Sequence, residues 1–250
     1  MTGENLLGFI VVLFTALGIA FFSLKRIRAQ FPAYIRKIPP IGRLKRAIGL
    51  SVEDGSRVHL SLGSPGLSEP AGTSALVGLS TLHRVGQLSS TSDQPPVCTS
   101  GDGNFTLLSR DVLRGVAVET NTYDSFDPDQ GWLTGITPFS YALGAMEVIK
   151  DPIVKTNILI GTFGTEAALL STTTEQRESF TLAASHSLVG QAVFMATSRD
   201  VLLGEELYAL PAYLNYRPAH LASLRVQDVL RYIIGAVLVA GTLMRALGIL

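Results

Sequence analysis

The sequence is poor in the side chains that build metal and redox centres. It has one cysteine, Cys98, and four histidines among 250 residues. A single cysteine excludes an intrachain disulfide, and no Cys or His cluster has the spacing of a structural zinc site. Net charge is also absent, because 20 Lys and Arg residues balance 20 Asp and Glu residues. The composition therefore predicts no nucleic-acid partner, no metal and no cofactor.

Charged residues are missing above all from two apolar runs at the ends of the chain. Residues 6–24 carry no charge and, as a helix, would span about 28 Å, close to the roughly 30 Å of a bilayer core. A cleaved signal peptide is the alternative, but "MTGEN" before the run has no Lys or Arg. Residues 232–250 form the second run, interrupted only by Arg245. A buried C-terminal helix is the alternative there. We predict two transmembrane helices.

The charges that flank the first run predict the orientation in the membrane. Eight Lys and Arg residues and no acid lie in residues 25–46, whereas only Glu4 precedes the run. The positive-inside rule places this basic side in the cytoplasm and both termini outside it. The predicted division is an extracytoplasmic end (1–5), transmembrane helix 1 (6–24), a basic connector broken by prolines (25–50), a cytoplasmic domain (51–217) and a C-terminal helix that includes transmembrane helix 2 (218–250).

Short apolar strands alternate with helical patterns through the cytoplasmic part. The six predicted strands are residues 58–62, 96–99, 133–136, 157–161, 179–184 and 201–204. The helices that follow them are residues 72–88, 104–120, 138–150, from 165 onward, 187–198 and 205–213. Repeated strand-then-helix units favour a parallel sheet with helices on both faces. The predicted fold class is α/β and Rossmann-like, with a largely parallel sheet between the two membrane helices.

Five segments of the chain resemble a known but uncharacterised family. They are "SVEDGSRVHLSLGSPGLSEPAGTSALVGLSTL", "PPVCTSGDG", "LTGITPFSYALGAM", "LIGTFGTEAALL" and "GEELYALPAYL". The chain resembles a domain of unknown function found in membrane-anchored proteins of Chloroflexi-type bacteria. This resemblance implies a bacterial inner-membrane protein with the same span, domain, span architecture. It implies no activity and no catalytic residue.

The carboxyl ends of the predicted strands carry small, hydroxylated, glycine or acidic residues. Ligands of open parallel sheets bind at these ends, where the strand order reverses, so we expect a ligand crevice there. Such turns also need Gly, Ser, Thr and Asp simply to form tight turns and helix caps. The candidate ligand-binding residues are Gly63, Ser64, Gly101, Asp102, Thr137, Gly161, Gly164, Glu166, Ser185 and Glu205.

The glycine loop in "ILIGTFGTEAALL" is the segment that most resembles a phosphate-binding turn. It lacks the lysine and the length of a P-loop, and Glu166 opens the helix that follows it. A carboxylate at that place occupies the positive end of the helix dipole and repels an anion. We expect the protein itself to cap the backbone amides of this loop.

Catalytic candidates are fewer. Asp102, His186 and Glu205 follow predicted strands and are the weak candidates for catalysis, with Glu166 beside them. No G-x-S-x-G elbow accompanies His186, so a capping or packing histidine is the simpler interpretation. If the chain is an enzyme, these residues predict a membrane-anchored hydrolase or transferase with an acidic, magnesium-dependent site.

The hypothesis that this sequence favours is not enzymatic. Acid-rich and hydroxyl-rich turns without a complete catalytic motif, carried between two membrane helices, suggest a scaffold. Small residues four apart in both runs, such as Ala16 and Ala20, allow helices to approach closely in lipid. We therefore expect a bilayer-embedded homo-oligomer that presents a cytoplasmic domain, with a crevice that senses a small ligand.

Overall fold

The computed structural model describes residues 3–24, 36–64, 66–67, 69–123, 126–215 and 218–247. The chain divides into two compact units. The α/β unit spans residues 37–214, and the terminal unit combines residues 1–36 with residues 215–250. The predicted connector residues 25–35, with Lys25, Arg26 and Arg28, lie outside the described residues, as do residues 248–250 of the predicted second span.

A six-stranded parallel sheet forms the centre of the α/β unit, as the strand-then-helix pattern predicts. Its strands are β1 (Arg57–Gly63), β2 (Val97–Ser100), β3 (Gly131–Leu133), β4 (Val154–Thr162), β5 (Phe180–Ser185) and β6 (Asp200–Leu202). The strand order is β3-β2-β1-β4-β5-β6, which is the Rossmann-like order. The sheet grows outward in opposite directions from β1 and β4, so the topological switch point lies between these two strands.

Helices cover both faces of the sheet, which confirms the predicted fold class at this level. The helices of the described chain are α1 (Gly3–Ser23), α2 (Pro39–Glu53), α3 (Gly72–Leu88), α4 (Gly103–Glu119), α5 (Pro138–Lys150), α6 (Ala167–Gln176), α7 (Leu188–Thr197), α8 (Glu206–Leu214) and α9 (Pro218–Ala246). Helices α3 and α5 have the predicted bounds. The other predicted helices of the α/β unit agree within about two residues at each described boundary.

Alternating residues along the strands point into two separate hydrophobic cores, one on each face of the sheet. Leu60 and Ile158 point to the face covered by α2, α3, α4 and α8. Leu159 and Ala183 point to the opposite face, which α5, α6 and α7 cover. Because both faces are buried, the strands are apolar on both sides, as parallel strands in this class of fold are.

Two elements differ from the sequence-based prediction. Strand β3 pairs through Gly131–Leu133 rather than residues 133–136, because residues 135–137 turn into α5 and the Thr137 side chain caps that helix. Helix α2 begins at Pro39 and Pro40, in the connector that prolines were expected to break. Proline suits the first helical turn, and α2 buries Ile41, Leu44 and Ile48 against the sheet. The compact unit therefore includes α2 and begins at residue 37.

The terminal unit consists of α1 and α9, which pack against each other. At Gly18, an added Cβ atom would lie 2.9 Å from a methyl group of Val226, so the absent side chain permits this approach. The Arg225 guanidinium lies over the Phe22 ring, 5.9 Å from its centroid. Gly18 therefore belongs to this contact, and a role of Ala16 and Ala20 in helix association stays a prediction.

One helix of the described chain is long and apolar enough to cross a membrane, and it is α9. The prediction of two spans is therefore corrected to one candidate span. The described apolar part of α1, Gly8–Ser23, belongs with the shorter apolar helices.

Candidate functional site

Open parallel sheets of this strand order bind ligands at the topological switch point, which here lies at the carboxyl ends of β1 and β4. Gly63 ends β1 in a left-handed conformation, with φ of 75°. A Cβ atom added at Gly63 would collide with the Thr162 carbonyl oxygen, and one added at Gly161 would collide with the Leu62 carbonyl oxygen. These glycines bring two backbones together. They leave little space for a ligand between the strands.

Hydrogen bonds continue past the strands and close the switch point further. The Ser64 amide donates to the Thr162 carbonyl at 3.2 Å, and the Gly101 amide donates to the Gly63 carbonyl at 2.8 Å. Beneath them, the fully buried Tyr141 hydroxyl contacts the Ser61 hydroxyl and accepts from the Gly63 amide at 3.2 Å. Burial raises the pKa of the Tyr141 phenol well above its usual value. The buried Tyr141 side chain is therefore neutral and occupies the space beside Ser61 and Gly63 at the switch point.

The glycine loop after β4 is capped by the protein itself. The Gly164 amide donates to Glu166 Oε1 at 2.7 Å, and the Glu166 side chain is 3% exposed. The Phe163 amide donates to the Ser185 hydroxyl at 3.1 Å. These two amides of the loop are thus paired within the fold. The expectation that the protein caps this loop is confirmed for these two amides.

The residues after β5 link neighbouring elements. The Ser185 hydroxyl accepts from the Ser187 amide at 3.2 Å and donates to the Phe163 carbonyl at 3.2 Å. The exposed His186 ring places Nδ1 2.7 Å from the Tyr208 hydroxyl of α8. In these positions Ser185 joins two strand ends, and His186 joins the turn to α8.

Asp102 serves as the N-cap of α4. One of its oxygens accepts from the Asn104 amide at 2.9 Å and from the Phe105 amide at 3.1 Å. Asp102 follows β2 and His186 follows β5, with β1 and β4 between these strands. Three strand spacings of about 4.8 Å place the two turns about 14 Å apart. Asp102 therefore cannot orient His186 in a catalytic triad.

The remaining candidates lie further out. Thr137 caps α5 in a capping box with Ser140. Glu205 is exposed beyond β6, and its neighbour Glu206 accepts from the Leu203 amide at 3.4 Å. The structure thus brings the candidates together in two groups. One joins Gly63, Ser64, Gly101 and Gly161, and the other joins Gly164, Glu166 and Ser185.

A buried polar chain in the centre of the sheet was not anticipated from the sequence. His59 is fully buried, and its Nδ1 donates to Asn157 Oδ1 at 2.9 Å, while its Nε2 accepts from the Thr99 hydroxyl at 2.8 Å. The Asn157 amide donates in turn to the Ser179 hydroxyl at 2.9 Å. Burial lowers the pKa of His59 to about 4, so this ring is neutral near pH 7. The signal in the sequence was a polar residue in each of three adjacent apolar strands.

Two cavities of the α/β unit lie at the amino end of the sheet, opposite the switch point. A cavity of about 330 Å³ opens beside the start of β2, between the last turns of α3 and α4. A cavity of about 510 Å³ lies beside the starts of β5 and β6 and includes the ion pair between Arg43 and Asp200. None of the candidate ligand-binding residues lines either cavity. Among the described residues, no group of three His, Cys, Asp or Glu side chains could hold a metal ion.

Comparison with known proteins places the chain in a family. A family model described as "Domain of unknown function (DUF6754)" matches residues 2–250. The chain belongs to the DUF6754 family. No curated protein and no solved structure matches it.

The DUF6754 match covers nearly the whole chain and confirms the resemblance to an uncharacterised family. The bacterial source and the membrane anchoring that the resemblance implied stay predictions. Because the DUF6754 family carries no assigned activity, no residue role can be transferred to this chain. Arguments about function depend on the contacts and cavities described above.

Proposed function

We propose that this protein is a self-associating scaffold of a bacterial inner membrane that presents its α/β unit to the cytoplasm. The observation that carries the proposal is an exposed apolar segment at the open edge of the sheet. This segment, the β3–α5 segment, consists of strand β3, the turn after it and the first turns of α5. Its large exposed apolar residues are Trp132, Leu133, Ile136, Phe139 and Leu143.

The apolar surface of the terminal unit supports the membrane part of the proposal. Large apolar side chains on several sides of α1 are at least 44% exposed, and Phe9, Val12 and Leu17 are between 59% and 65% exposed. From Tyr232 to its end, α9 is exposed as well. A helix of a water-soluble protein buries one apolar face, whereas a helix that is apolar all round requires lipid or protein around it. We propose that α9 spans the membrane, with the end of the chain after α9 outside the cytoplasm.

The arrangement at the carboxyl ends of the strands favours a scaffold over a hydrolase or transferase. Asp102 caps a helix, Glu166 caps its own loop, and His186 bonds to Tyr208. Each polar group stabilises the turn that carries it. An enzyme that used them together would need them around one cavity, and the turns of Asp102 and His186 lie about three strand spacings apart.

The open edge of β3 supports a second copy as the partner. β3 pairs with β2 alone among the described strands, so its other side is a sheet edge. On this strand the Gly131 carbonyl accepts from Arg110 Nε at 2.8 Å. Two copies related by a two-fold axis would pair their β3 strands and extend both sheets, and each copy would offer the same surface to the other. Phe139 and Leu143 are four residues apart on α5 and therefore share one side of that helix.

The exposed apolar area of the β3–α5 segment is large enough to form much of such a two-fold interface. The five apolar side chains are between 43% and 82% exposed, with Ile136 the most exposed. At about 150–250 Å² for each large side chain, they leave roughly 500 Å² of apolar surface. A stable interface buries about 800 Å² per partner, so this segment would supply more than half of one. A contiguous apolar patch of this size is near the upper end of what a monomer exposes, and such patches are often functional.

Self-association is measured by mass photometry of the full chain after mild detergent extraction. The wild-type protein is expected to give particles of two or more copies. The Phe139→Ser variant should weaken assembly at least tenfold in the midpoint protein concentration, because it removes a large apolar contact. Leu107→Ser is the matched control, since Leu107 is 64% exposed on α4, on the other face of the sheet. A monomeric wild-type particle would refute the proposal.

A further inference from the structure

A cavity at the amino end of the sheet has features of a ligand site that the function proposed above does not require. This cavity, the β5–β6 cavity, lies beside the starts of those two strands. Its volume of about 510 Å³ lies within the range of small-molecule sites. The walls come from the ends of α6 and α7, from the two strand starts and from Arg43 of α2. All of these elements belong to the α/β unit.

Two buried hydroxyl groups in the wall of the β5–β6 cavity have no hydrogen-bond partner in the described part of the chain. They are Thr181 Oγ1 on β5 and Ser198 Oγ directly after α7. Both residues line the cavity. Buried polar groups in native proteins almost always have partners, and an unpaired one destabilises the fold. We therefore expect a hydrogen-bonding group inside the cavity.

The charges that line the β5–β6 cavity favour a cation. Arg43 forms an ion pair with Asp200, whose side chain is 5% exposed. Among the other described lining residues, the exposed carboxylates of Glu175 and Glu178 outnumber the single guanidinium of Arg199. Helices α6 and α7 both end beside the cavity, so their negative dipole ends add to this excess of negative charge.

Glu178 occupies a backbone position that glycine usually takes. Its φ is 52°, in the left-handed region that other residues seldom adopt. The Glu178 amide donates to the Glu175 carbonyl at 2.9 Å, and the Ser179 amide donates to the Thr174 carbonyl at 3.2 Å. These two bonds form the Schellman motif that ends α6. Because glycine would be more stable here, the fold places a carboxylate at the edge of the cavity at a cost in stability.

We infer that the β5–β6 cavity binds an aliphatic polyamine. The ammonium groups of the ligand pair with the Glu175 and Glu178 carboxylates. Their N–H groups donate to the unpaired hydroxyl groups of Thr181 and Ser198. The methylene segments between the ammonium groups lie against the Phe180 ring, which also lines the cavity. An anionic ligand would instead meet an excess of negative charge.

The polyamine site does not depend on the scaffold proposal. The residues of the β3–α5 segment, which carry that proposal, do not line the β5–β6 cavity. A monomeric protein could still bind a polyamine, and a protein that self-associates could fail to bind one. The two proposals therefore succeed or fail separately.

Isothermal titration of the full chain in nanodiscs of neutral phosphatidylcholine tests the inference, with empty nanodiscs as the blank. Putrescine or spermidine should bind with a Kd below about 1 mM, and added salt should weaken binding. Butanediol, which has the chain length of putrescine but no charge, should bind at least tenfold more weakly. Failure of both amines to bind would overturn the inference. Tighter binding of butanediol or of inorganic phosphate would overturn the proposed class of ligand.

Carboxylate variants assign the binding to this cavity. The double variant Glu175→Gln, Glu178→Gln should weaken spermidine binding at least tenfold. Glu178→Gly should also weaken it but should raise the melting temperature, because glycine relieves the left-handed backbone. These opposite effects separate the loss of a ligand contact from the loss of structure. Glu147→Gln, at an exposed position of α5 outside the cavity, is the matched control and should bind normally.

Thr181→Val tests the unpaired hydroxyl group. It should weaken spermidine binding about tenfold and leave the ligand-free protein equally or more stable, because it removes an unpaired buried group. Thr172→Val is the matched control and should bind normally, since the exposed Thr172 hydroxyl donates to the Ala168 carbonyl at 2.7 Å and lies outside the cavity. A lower melting temperature of ligand-free Thr181→Val, or normal spermidine binding by the double carboxylate variant, would contradict the assignment.

Discussion

His59 is the residue whose protonation state should control stability most directly. Its ring is fully buried, and burial lowers its pKa to about 4 from the usual 6.5. The unfolded chain therefore binds a proton at a higher pH than the folded chain. Stability from the neutral ring is fully present above about pH 6.5 and is lost as the pH falls toward 4. A shift of this size corresponds to about 3 kcal/mol.

Chemical unfolding of the full chain in detergent at pH 7.5 and pH 5 measures this effect. The free energy of unfolding should fall by roughly 2 kcal/mol through His59 alone. His59→Gln should be less stable at pH 7.5 but should lose this part of the pH dependence. The exposed His186 provides the control, and His186→Gln should keep it. Equal pH dependence in His59→Gln and wild type would contradict the prediction.

Single residues were the hardest level to predict from sequence. Glu166 was predictable, because a carboxylate at the start of a helix can be recognised from its position, and it does cap its loop. The partnership of His59 with Asn157 was not, since it depends on which strands are neighbours and on their register. The cavity beside the start of β2 was missed for the same reason, because it forms only when α3 and α4 lie side by side.

At the scale of elements, the contact between the ends of β1 and β4 should be sensitive to a single methyl group. Gly63 has φ of 75°, and an added Cβ would collide with the Thr162 carbonyl oxygen. The left-handed conformation costs a non-glycine residue about 1–2 kcal/mol, and the collision adds to this cost. Gly63→Ala should therefore lower the free energy of unfolding by more than about 2 kcal/mol.

Gly103→Ala is the matched control for this element. Gly103 begins α4, and a Cβ added there would have no neighbour within 4 Å. This substitution should leave stability unchanged or raise it by about 0.4–1 kcal/mol, because alanine restricts the unfolded chain. Equal unfolding midpoints for the two variants would show that the switch point is looser than the structure indicates.

Elements with a clear pattern were predicted well, and the misplaced ones had conflicting local signals. The apolar pattern of α3 and α5 predicted their bounds correctly. The predicted bounds of β3 were too late in the sequence, because Gly131 and Trp132 directly follow a polar loop and read as part of it. The sequence pattern assigned α2 to a connector because proline inside a helix breaks it. The place of its prolines at the first turn of an amphipathic helix became evident only from the packing of α2 on the sheet.

At the scale of the whole molecule, the buried Cys98 makes the proposed topology testable without removing any native cysteine. Cys98 is 1% exposed, and burial raises the pKa of its thiol to about 12. A buried neutral thiol does not react with a maleimide. Cysteines introduced elsewhere can then report their side of the membrane on their own.

Two reporters distinguish the orientations. Glu147 lies exposed on α5 in the α/β unit, and Leu250 follows α9 in the sequence. In spheroplasts treated with a membrane-impermeant maleimide, Leu250→Cys should be labelled at once. Arg225 and Arg231 precede the apolar part of α9 and favour a cytoplasmic location for that end of the helix, so the opposite end should face outward. Glu147→Cys should be labelled only after permeabilisation. Labelling of both before permeabilisation would contradict a cytoplasmic domain, and protection of both would mean that α9 does not cross the membrane.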